Sequence, residues 1–60
     1  MDEFIEREVY KVANQNFTSA EAAIENIRAS NPEYFLNLPV DQTLELYDQM
    51  KRLFNRIKED

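Results

Sequence analysis

The acidic side chains are the first place to look for chemistry in this 60-residue chain, which carries twelve of them. Two pairs stand four residues apart, Glu21 with Glu25 and Asp41 with Glu45, a spacing that puts both members on one helical face. Inward carboxylates in helical bundles can hold a di-iron centre, but such sites normally include histidine, and the chain has neither histidine nor cysteine. It also lacks glycine, and with it the central turn of a calcium loop. Both carboxylate pairs fall at the edges or outer sides of their helical wheels, so they read as solvated charge. No metal and no other cofactor is expected.

Nucleophilic catalysis fares no better. Ser19 and Ser30 have no histidine to activate them, and both stand beside predicted helix ends, where capping and termination explain them. Loops that cradle phosphate need glycine for close backbone approach. The string Asn16-Phe17-Thr18 matches a glycosylation acceptor, read as chance because no secretion signal accompanies it. The residues predict a protein that is not an enzyme.

Charge narrows the partners. Twelve acids against seven bases leave a net charge of −5, which disfavours contact with nucleic acid and with anionic membranes. Lys51, Arg52, Arg56 and Lys58 divide between two flanks of an apolar stripe, so no basic reading face is expected. The opposite reading is an acidic DNA mimic built on Asp2, Glu3, Glu6 and Glu8, although Arg7, Lys11 and Arg28 interrupt any row of carboxylates. No run approaches the roughly 20 apolar residues that span a bilayer. The opening MDEFIEREVYK is acidic and amphipathic, unlike a signal peptide. A cytoplasmic protein is the expectation.

The elements that position these residues follow from apolar spacing. Ile5, Val9, Val12 and Ala13 recur at helical intervals and predict a helix over about 2–14, with acids early and Lys11 late, as the helix dipole favours. Glu3 and Arg7 are spaced to form an ion pair. Phe4 lies off the stripe, beside Glu8 and Lys11. Thr18 with Glu21 offers a capping box for a second helix over about 19–29, with Phe17 just before it and Ala20, Ala23, Ile24 and Ile27 on its buried face. Asn31 and Pro32 open a short turn of helix over 32–37. Pro39 holds Leu38 extended and introduces the last helix, about 40–58. There Val40, Leu44, Leu46, Tyr47, Met50, Leu53, Phe54 and Ile57 form a stripe wider than one partner helix needs. Asp48 and Arg52 are spaced to pair.

The expected fold is therefore all-α: a single domain, a small three-helix bundle with a short extra helical turn before the long C-terminal helix. Leu36 and Leu38 are expected to close the core beneath that helix with Phe35 alongside, and Tyr34 to look outward. With catalysis and cofactors set aside, the composition predicts a small non-enzymatic protein-binding module, a regulator or inhibitor of another protein. Its candidate contact residues are Phe4, Tyr10, Tyr34, Phe35 and Leu46. The alternatives are a structural homodimer or larger homo-oligomer using the last helix, with Leu46 at the edge of its stripe, and the acidic DNA mimic.

Overall fold

The computed structural model describes residues 2–59. Four helices and no strand are present among them: α1 Glu3–Ala13, α2 Ala20–Ser30, α3 Pro32–Leu36 and α4 Val40–Glu59. This is a small all-α bundle, as the apolar spacing predicts, and each helix boundary lies within a residue of its expected place.

Each start has a local cause. Asp2 caps α1 from an extended backbone, its Oδ1 accepting from the Phe4 N–H at 3.1 Å. At α2 the cap is Ser19, whose Oγ accepts from the Ala22 N–H at 3.1 Å; this corrects the expected box of Thr18 and Glu21. Moving the cap by one residue puts Ala22 at the third helical position, where no side chain can reach back, and serine is the stronger cap of the two. Pro32 occupies the first position of α3 as expected, but the Asn31 side chain makes no cap bond there. It turns back instead to the carbonyl of Ile27, at 2.9 Å. At α4 the Thr43 N–H and Oγ1 both donate to the Pro39 carbonyl, at 2.9 and 3.0 Å.

Helix ends need another solution in a chain without glycine, whose backbone shows no left-handed residue among those described. All three of the shorter helices end on asparagine: Asn14, Asn31 and Asn37. Asn14 Nδ2 donates to the Tyr10 carbonyl at 3.1 Å, and Asn31 Nδ2 does the same for Ile27. The amide thus takes up a carbonyl that a glycine-ended turn would have satisfied through the backbone.

The core is where three helices meet. α1 packs on both α2 and α4, α2 packs on α4, and α3 lies against α2. Ile5, Val9, Val12 and Ala13 face Ala23, Ile24 and Ile27, with Phe35, Met50 and Phe54 completing the buried set. Among the described residues no polar or charged residue is buried. Burial of side chains the size of Ile27 or Met50 contributes about 1.5–3 kcal/mol each. No helix among the described residues is long and apolar enough to cross a membrane.

Two expected contacts are corrected. Glu3 and Arg7 form no ion pair; among the described residues the pairs are Lys11 with Glu8 and Arg52 with Asp48, each at 3.0 Å. The second is exposed at both ends and contributes little. On α4, only Met50 and Phe54 of the wide stripe are buried, while Leu46, Tyr47, Leu53 and Ile57 flank the core. Val40 and Leu44 lie outside it, 77% and 62% exposed. At about 100° per residue, Val40 and Leu44 stand roughly 80° and 120° round α4 from Met50, on the flank of the stripe and not at its centre.

Candidate functional site

The α3–α4 corner is built from a short helix, an extended joint and a fresh helix. Successive residues on α3 point about 100° apart, so when Phe35 turns into the core its neighbour Leu36 cannot follow. Leu36 is 81% exposed, which corrects its expected place beneath the last helix; Leu38 does pack against the core. Pro39 then resets the chain direction, and Val40 and Leu44, one helical turn apart, share a face of α4. Three large aliphatic side chains thus stand in water along one side of the molecule.

These side chains belong to a continuous surface. One hollow is lined by Glu25, Arg28, Ala29, Pro32, Phe35 and Leu36. A second is lined by Arg28, Phe35, Leu38, Val40, Thr43, Leu44 and Tyr47. Arg28 and Phe35 line both, so the guanidinium-bearing side chain stands where the two hollows join. Among the described residues Arg28 has no carboxylate partner within ion-pair distance. The Tyr47 hydroxyl is covered and makes no hydrogen bond. Its ring packs edge-on to Phe35, with centroids 6.0 Å apart.

On another side the aromatic residues close on one another. Phe4 lies 5.4 Å from Tyr34 between ring centroids, and Tyr34 lies 5.3 Å from Phe35. The Tyr34 hydroxyl donates to Asp2 Oδ2 at 2.9 Å. Asp2 therefore serves two ends at once, capping α1 and holding α3. Burial, followed by the hydrogen bond to and the charge of Asp2, pushes the Tyr34 phenol above its ordinary value. Beside this clasp a wider hollow of about 700 Å³ opens between Phe4, Pro32 and Asn37.

A third link runs between α1 and the α2–α3 joint. Glu8 Oε1 accepts from Asn31 Nδ2 at 2.9 Å and Oε2 from Lys11 Nζ at 3.0 Å. The Asn31 bond first, then Lys11, holds the Glu8 carboxyl below its ordinary value, against an opposing contribution from burial. Glu8 is thereby committed to the half-buried joint between α1 and Asn31 rather than to an outward row of acids.

Of the five residues singled out from the sequence, Phe4, Tyr34 and Phe35 meet in one aromatic row, and Tyr10 and Leu46 are not part of it. Phe35 is 7% exposed and belongs to the core. Tyr34 is half-buried in the clasp, which corrects its expected outward position, and Leu46 is half-buried against the core. Phe4, 38% exposed, stacks on Tyr34, and Tyr10 is exposed on α1. The residues the spacing did not single out are Leu36, Val40, Leu44 and Arg28. Their signal was available in part: Val40 and Leu44 stand ahead of the core-facing section of an unusually long helix. Glu21, Glu25, Asp41 and Glu45 are all exposed. Among the described residues no three carboxylate or other metal-ligating side chains gather. Compared with known protein families, curated proteins and solved structures, the chain matches none.

Proposed function

We propose that this chain is a small non-enzymatic protein-binding module that acts by covering a surface of another protein chain. The observation that carries the reading is the continuous apolar face of Leu36, Val40 and Leu44 about Arg28. Isolated apolar residues on a surface need no explanation, but adjoining ones mark contact sites. Interfaces favour an apolar centre with arginine at or near it. The α3–α4 corner supplies the apolar side chains on backbone fixed by a proline and two hydrogen bonds from Thr43, and the last turn of α2 supplies the arginine. A regulator or inhibitor role follows if the covered surface is one its partner uses.

The test is site-specific photo-cross-linking in cells, with the photoreactive amino acid at position 36, 44 or 55. Asn55 is exposed on α4 outside both hollows. The expected outcome is a discrete cross-linked protein species from positions 36 and 44 and none from 55. Equal, diffuse labelling at all three positions would sink the reading.

A further inference from the structure

We infer that the chain covering this face is a second copy of the protein, docked about a two-fold axis beside α2 and α3; the inference rests on the protein-binding reading above. In a two-fold contact the same patch is used on both subunits, so each feature must find its complement within that patch. The hollow beside α3 meets that demand in shape. Leu36 projects as a knob, and the hollow of about 440 Å³ beside it is floored by Phe35 and edged by Ala29, whose small side chain leaves room for a neighbour. A two-fold rotation sets each knob over the other copy's hollow.

It also meets the demand in charge. Glu25 and Arg28 lie three residues apart on α2 and line the same hollow, yet among the described residues neither is paired with the other or with any other charge. Two copies of α2 running antiparallel across the axis bring each Glu25 to the other copy's Arg28. A foreign partner needs only to complement this face. That the face carries knob, hollow, acid and base together is what singles out a second copy.

The size of the chain agrees. A standard interface takes about 800 Å² from each partner, under a fifth of the 4380 Å² that this chain exposes. Small scaffolds without disulfides or metals commonly gain their missing burial by association. The net charge of −5 on each copy opposes docking, but at physiological salt its reach is limited to about 8 Å, whereas the Glu25–Arg28 pairs act at contact.

The experiment is sedimentation equilibrium of the whole chain over a hundredfold concentration range, with circular dichroism to confirm that each variant keeps its helices. Wild type is expected to dimerise reversibly. Glu25→Arg and Arg28→Glu are each expected to weaken the dimer about tenfold or more by opposing like charges. Mixing the two variants restores every pairing and should restore association as a heterodimer. Leu36→Glu, folded but monomeric, is the control on shape. A wild type that stays monomeric throughout, or a mixture no more associated than its components, overturns the inference. If cross-linking at positions 36 and 44 then captures a different protein, the protein-binding reading survives without the second copy; if it captures none, both readings fall.

Discussion

Two side chains join elements that are far apart in sequence, and both have a pH signature. Glu8 is held in its ionised form by Asn31 and Lys11, so the unfolded chain binds a proton more readily than the fold does. Its contribution is therefore present at neutral pH and lost as the pH falls below about 4.3 and through the lowered value. Glu8→Gln should lower the melting temperature at pH 7 by roughly 4 °C and flatten the acid side of the stability profile. Equal acid slopes for the two proteins, followed by thermal melts from pH 7 down to 3, would show that Asn31 does not hold the charge. Tyr34 has the opposite sign. The fold keeps its phenol protonated, so its contribution is complete below about pH 10 and lost as the pH rises through the raised value. Tyr34→Phe keeps the ring against Phe4, loses only the bond to Asp2, and should cost at most about 1 kcal/mol by urea titration at pH 7.

At the scale of the helices, the position of a cap decides more than its presence. Ser19→Ala should cost about 1 kcal/mol, while Thr18→Ala, one residue away, should stay within a few tenths. The reverse order in urea midpoints would return the cap to Thr18. The sequence pointed to Thr18 because Glu21 stands three residues on, and only the Oγ bond to Ala22 shows that its neighbour Ser19 holds the cap. The helices themselves were legible. Ile5, Val9 and Val12, or Met50 and Phe54, recur at a period that no strand uses, and the two prolines mark the corner. What periodicity does not contain is the reach of the neighbours. Val40 and Leu44 share their stripe with Met50 and Phe54, yet lie on its flank beside Arg28 and Phe35 and stay largely in water. Asn31 likewise reads as a cap for α3, and its commitment to Glu8 and Ile27 depends on a fold that brings residues 8 and 31 together. The candidate face was legible only in part for the same reason: its aliphatic side chains have a pattern that says core and a position that says surface.

For the molecule as a whole, stability and contact surface should separate by mutation. Met50 is fully buried between helices, so Met50→Ala should cost about 2–5 kcal/mol at every protein concentration. The triple change Leu36→Gln, Val40→Gln and Leu44→Gln removes apolar atoms that already face water in the isolated chain, and should leave the dilute protein within about 0.5 kcal/mol of wild type. Self-association adds a second dependence. A dimer that binds only folded subunits raises the melting temperature with concentration, so wild type should melt higher at the top of a hundredfold range than at the bottom. The triple variant should melt at one temperature throughout. Scanning calorimetry of the three proteins distinguishes the two contributions, because core loss displaces the whole curve whereas interface loss removes only its concentration dependence. If the triple variant is instead destabilised in dilute solution by as much as Met50→Ala, these side chains serve the core, and the contact surface must be sought around Phe4 and Tyr10.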